Sequence, residues 1–169
     1  MKNLQPSEFP EYYTSYINEV KCLDITEALE ENLHDFLNFI ENIPVEKHEF
    51  QYLPGKWTIK EIVLHIIDAE RIFGYRALRF ARFDATPLAG FEENDYVPIS
   101  NANNRDMKSL LTEFVAVRKA TISLFENFTE EMLLHKGIAS NGEISVRALG
   151  FIISGHCLHH QNVIRERYL

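Results

Sequence analysis

A chain of 169 residues, 46% hydrophobic and 25% charged, has the length and composition of one globular domain over residues 1–169. Its formal net charge of -8 argues against broad attraction to nucleic-acid phosphates or anionic lipid, so neither a nucleic acid nor a membrane is expected as a partner. Two cysteines, no signal-peptide core in MKNLQPSEFPEYY and no apolar run near the roughly 20 residues of a bilayer span point to a cytoplasmic location with reduced thiols.

The first periodic segment runs from about Ile25 to Ile43, where Leu29, Leu33, Phe36, Ile40 and Ile43 recur in steps of four and three. Pro44 ends it. A second helix is expected after Pro54 and Gly55, with Thr58 and Glu61 as a capping box, continuing to about Phe83 and weakened or bent at Gly74. DATPLAGFEENDYVPISNANN follows, a long aperiodic stretch of the kind that often covers a site. The third helix, about Asn104 to Phe128, carries the stripe Leu110, Phe114, Val117, Thr121, Leu124 and Phe128. Thr129 suits a short capped turn through Glu131 and Met132, and SNGEIS reads as a tight turn. A last helix spans about Ser145 to Tyr168. Four long helices with little strand signal predict an all-α four-helix bundle with short extra helices or turns.

The seam of the last helix reads Val146, Leu149, Ile153, His156, His160 and Val163, and that of the second reads Ile62, His65, Ala69 and Ile72. Three of the seven histidines therefore fall in core phase on two helices. Residues four apart share a helix face, roughly 6 Å apart along the axis, so two imidazoles from one helix and a third from another can meet at one ion. Three protein ligands leave a coordination position open. The spacing leaves two readings standing: a metal site, or core histidines bonded to neighbours. His159 flanks the pair, either beside the ligands or in solvent, and His34, His48 and His135 sit in polar settings that suggest the surface.

GKWTIKEIVLHIIDAE and SVRALGFIISGHCLHHQNVIRERY resemble the two histidine-bearing segments of the DinB/YfiT-like superfamily. PSEFPEYYTSYINEV and FVAVRKATISLF are also similar, so the resemblance covers nearly the whole chain. It implies a four-helix bundle in up-up-down-down order, with metal ligands at His65, His156 and His160 and a plausible homodimer. Its implied chemistry is broad: transferases and isomerases that act with low-molecular-weight thiols, and presumed hydrolases.

Three functions follow as expectations. The first is a metal-dependent transferase acting on a small-molecule substrate, in which the ion holds a low-molecular-weight thiol as thiolate. Arg71, Arg76, Arg79 and Arg82 are candidates to meet carboxylates of such a thiol, although a solvated face paired with acids is the simpler reading. The second is a hydrolase using metal-activated water, with Asp68 or Glu61 as a proton-handling group or merely the polar edge of the helix. The third is a non-catalytic metal-binding bundle. A divalent ion is expected in each, Zn or Ni first, with Fe, Mn and Cu also compatible with imidazole. Cys157 points about 100° away from His156 and Cys22 has no histidine nearby in sequence, so neither is assigned a catalytic role. No GxSxG elbow or P-loop is present.

Overall fold

Side-chain caps fix where the long helices begin. The computed structural model describes residues 4–22 and 24–169. A short helix, α1 (Thr14–Glu19), precedes α2 (Ile25–Glu41), whose N-cap Asp24 accepts from the amides of Thr26 and Glu27. The capping box of Thr58 and Glu61 forms as expected and starts α3 (Ile59–Ala81), which runs through Gly74 without a break. After a short α4 (Glu93–Tyr96), Asp106 caps α5 (Met107–Glu126), three residues later than the expected start because Ala102–Asn104 forms its own 3-10 turn. Thr129 caps α6 (Glu130–Leu134), and Ser145 caps α7 (Val146–Arg167).

SNGEIS is more than a turn. It belongs to an antiparallel hairpin of β1 (Lys136–Ala139) and β2 (Gly142–Ser145), with Ala139 opposite Gly142. Ser140 and Asn141 take φ of 50° and 63°, both in the left-handed region that a two-residue hairpin turn requires. Leu88 adds a parallel bridge to Ala139, which fastens the segment after α3 to the hairpin. At Gly137 a Cβ would lie 2.1 Å from the Phe80 ring, so only glycine lets β1 sit on α3 here.

α3 packs on α7 and α5, and α2 packs on the same two. Specific contacts give the directions. The Phe36 and Phe114 rings are 4.8 Å apart while Asn32 meets Arg118, so α2 and α5 are antiparallel. Ser154 Oγ donates to the Ala28 carbonyl and Arg165 lies over Phe39, so α2 and α7 are parallel. Tyr168 donates to the Trp57 carbonyl while Phe73 faces His156, so α3 and α7 are antiparallel. Thr58 meets Asn103 and Glu70 meets Arg118, so α3 and α5 are parallel. Taken round the bundle as α2, α7, α3, α5, the directions are up, up, down, down; along the chain they are up, down, down, up.

That order explains the long aperiodic stretch. Two consecutive long helices pointing the same way need a connection that returns the length of the bundle, about 34 Å for the 23 residues of α3. The return passes over one flank of the bundle and carries Phe91 and Glu93 to the wall of a cavity.

The predicted seam of α2 is buried at Leu29, Leu33, Phe36 and Ile40. The expected stripe of α5 is buried at Leu110, Phe114, Thr121 and Phe128, but Val117 and Leu124 are only half-buried and the inner positions beside them go to Arg118 and Phe125. The Arg118 guanidinium forks onto Glu70, which is 2% exposed, and Nη1 donates to Asn32 Oδ1 at 2.7 Å and to the Leu29 carbonyl.

Candidate metal centre

His65 lies in the second turn of α3, its position set by the Thr58 cap, and His156 and His160 lie one turn apart on the antiparallel α7. Their Nε2 atoms converge. His156 Nε2 is 3.0 Å from His65 Nε2 and 3.1 Å from His160 Nε2, and the three ligand atoms all lie within 4.8 Å of one another. An ion with Zn–N contacts of about 2.0–2.1 Å in tetrahedral geometry holds its nitrogens roughly 3.3 Å apart. The spacing therefore fits a metal ion with small adjustments of ring angle.

The rings are held by aromatic neighbours. Trp57 sits 4.9 Å from the His65 ring and stacks toward His160, while Tyr16 and Phe73 approach His156 edge-on at 5.5 and 6.0 Å. Tyr16 reaches this place because Gly155 has no side chain: a Cβ there would lie 2.0 Å from the Tyr16 carbonyl oxygen. Burial pulls the His65 pKa down to about 4. Burial, and then the neighbouring histidines, hold His156 and His160 well below the ordinary value. All three are neutral at pH 7 and keep a lone pair for a cation, the donor set that divalent first-row ions accept.

One side of the cluster opens on a cavity of about 510 Å³. Its wall includes Tyr16, Trp57, Phe73, Arg76, Phe91 and Glu93. The wall mixes aromatic side chains with histidines and other polar or charged groups, so it offers a small molecule both apolar surface and hydrogen-bonding partners.

A family model described as the DinB superfamily matches residues 28–164. The chain belongs to the DinB superfamily. It is 25% identical over 142 residues, 77% of this chain and 82% of the relative, to a protein of Oceanobacillus iheyensis named as a candidate metal-dependent hydrolase. In structure it is similar to YfiT from Bacillus subtilis, described as a probable metal-dependent hydrolase with an unusual four-helix bundle topology. The TM-score is 0.76 at 16% identity, over 84% of this chain and 82% of that one.

In this DinB-superfamily protein the three histidines singled out by periodicity are the ones brought together. His159 borders them, its ring 5.2 Å from His160 and 5.1 Å from Tyr16, with Nδ1 3.7 Å from Glu19. His34 is exposed and His135 is half-buried against Phe83. His48 corrects the expectation of a surface site: it is buried, with Nε2 3.2 Å from the Ile43 carbonyl, where it closes the turn after α2.

The arginines of α3 divide. Arg71 pairs with Asp68 and Glu113, and Arg79 with Asp84, as a solvated face should. Arg82 lies over Phe128. Arg76 departs from that expectation, being buried with the cavity as its neighbour. Neither acid expected to flank His65 is bonded to it. Glu61 is occupied by the Thr58 amide and Asn103, and Asp68 by Arg71. Burial pushes the Cys157 thiol up to about 12 beside Arg118, and burial and Glu31 push Cys22 up to about 11, so both are poor nucleophiles.

Tyr16, Trp57, Phe73 and Glu93 were not assigned to the site by pattern, and Arg76 was a candidate only as one of four arginines for which a solvated face was the simpler reading. Trp57 alone carries a usable signal, since it stands next to the capping residue of the histidine-bearing helix. The others arrive by tertiary packing.

Proposed function

We propose that this protein is a divalent-metal-dependent hydrolase of small molecules, with His65, His156 and His160 as the metal ligands and Zn or Ni as the ion. The observation that carries the proposal is the convergence of three Nε2 atoms at the mouth of a cavity large enough for a small substrate. The names of the Oceanobacillus relative and of YfiT support the hydrolytic direction. When bound, such an ion supplies a Lewis acid that can lower the pKa of a water molecule to about 7.

The chain's own groups do the rest. Trp57 and Phe73 exclude bulk water from the histidines and present flat apolar walls to a substrate. Tyr16 places a hydroxyl at the cavity, where it donates to a developing oxyanion. Glu93 and His159 are the wall groups able to accept a proton, Glu93 at its carboxylate and His159 at a ring nitrogen.

Thiol transfer would use the same ligands with a different nucleophile. Neither cysteine of the chain can serve, so the thiol would be a second, low-molecular-weight substrate. Elemental analysis of purified wild type and His160→Ala, beside a panel of chromogenic esters and amides with and without added cellular thiols, separates the readings. The expected result is about one ion per chain, lost in His160→Ala together with thiol-independent turnover. Turnover only with thiol indicates transfer, and bound metal without turnover under either condition indicates a non-catalytic bundle.

A further inference from the structure

The cavity that adjoins the histidines has on its wall a buried cation that forms no ion pair among the described residues. Arg76 is 3% exposed, and among the described residues no carboxylate oxygen comes within 4.0 Å of it. The other deeply buried guanidinium, Arg118, forks onto Glu70. The partners of Arg76 are neutral: Nη2 donates to the Ala89 carbonyl at 3.1 Å and to Ser140 Oγ at 3.0 Å, the Tyr13 hydroxyl also accepts from the guanidinium, and the side chain lies over Phe73. A buried charge is costly unless paired, and a guanidinium offers five donors, not all of which these contacts use. Its setting is also fixed in advance. Ala89 belongs to the return segment and Ser140 to the hairpin turn, so two separate stretches hold one end of the fork.

The position relative to the metal ligands matters. Arg76 follows His65 by three turns on the inner side of α3, about 16 Å along the axis. Phe73 lies between, touching Arg76 on one side and His156 on the other. A molecule spanning the cavity would have one end at the histidines and the other at the guanidinium.

We infer that Arg76 is a specificity-determining residue that binds a carboxylate at the far end of the substrate from the bond that reacts. A carboxylate suits the site better than a phosphate. One guanidinium is available, and Glu93 on the same wall opposes a second negative charge. The assignment rests on the proposed hydrolytic site for the word substrate, but its test reads binding alone, so absence of turnover does not decide it.

The chain has one tryptophan, Trp57, which lines the cavity, so its fluorescence reports occupancy. Titration with hexanoate and with its neutral isostere hexanamide should show about tenfold tighter binding of the anion, the effect of one charge-assisted hydrogen-bonded pair. Arg76→Gln, with its helical circular dichroism retained, should bind the two equally. Arg76→Lys, which keeps the charge without the fork, should weaken the preference roughly threefold, and it serves as the test variant should Arg76→Gln not fold. His160→Ala should keep the preference. Equal binding of the two probes by wild type, an undiminished preference in the Arg76 variants, or its loss in His160→Ala (which places the anion on the metal) would each overturn the inference.

Discussion

Arg118 is the residue that pattern reading handles worst. Apolar periodicity assigns Val117 to the core, yet Val117 is half-buried and its charged neighbour takes the inner position. A reading that scores arginine as polar cannot find it, because burial here depends on Glu70 and Asn32 arriving from two other helices. The pair sets the rotation of α5 and stakes much of the core on being complete. Arg118→Leu alone should cost about 3–5 kcal/mol by leaving Glu70 buried without a partner, while Arg118→Leu with Glu70→Leu should recover most of that loss. Urea denaturation of both variants checks this; equal losses in the single and double variants would mean that the ion pair does not set the penalty. The histidines are the opposite case. Their phase on two strongly periodic helices made them legible, whereas Phe73 was missed and Arg76 was read as part of a solvated face because the seam was followed to Ile72, which is only half-buried.

At the scale of elements, the long capped helices were readable and the short pieces were not. α1 has six residues, too few to show a period or to stand alone. The two strands have four each, and only their turn left a mark in the sequence. These small elements are what close the site. The N-terminal segment is tied to the head of α7 through Glu8, whose carboxylate accepts from Ser145 Oγ at 2.9 Å and from Arg147. Burial alone would raise the Glu8 pKa, but the bonds from Arg147, the Gln5 amide and Ser145 outweigh it and hold the group below its ordinary 4.5. A depressed folded-state pKa stabilises above the unfolded value and loses that contribution as pH falls through the folded one. Glu8→Gln should therefore be less stable than wild type at pH 7, and the gap in urea midpoint should close as the pH drops below 4.5. A gap that stays constant across that range would show that the charge of Glu8 is not what holds the segment.

For the whole molecule, the bundle class was legible because four stripes of apolar residues demand mutual burial. The stripes themselves carry no sense of up or down, so the up-up-down-down order was legible only through the resemblance of the histidine-bearing segments to the DinB/YfiT-like superfamily. What the long stretch between α3 and α5 does register is the consequence: parallel consecutive helices force a return, and the return walls the cavity. No helix among the described residues is long and apolar enough to cross a membrane. The account's central claim is that three imidazoles from α3 and α7 share one divalent ion. The most direct measurement is a crystal structure with anomalous data at the metal's absorption edge. The account predicts one peak about 2.0–2.1 Å from Nε2 of His65, His156 and His160, with the open side toward the cavity. A map with no peak there, and the three rings hydrogen-bonded to one another, would contradict it.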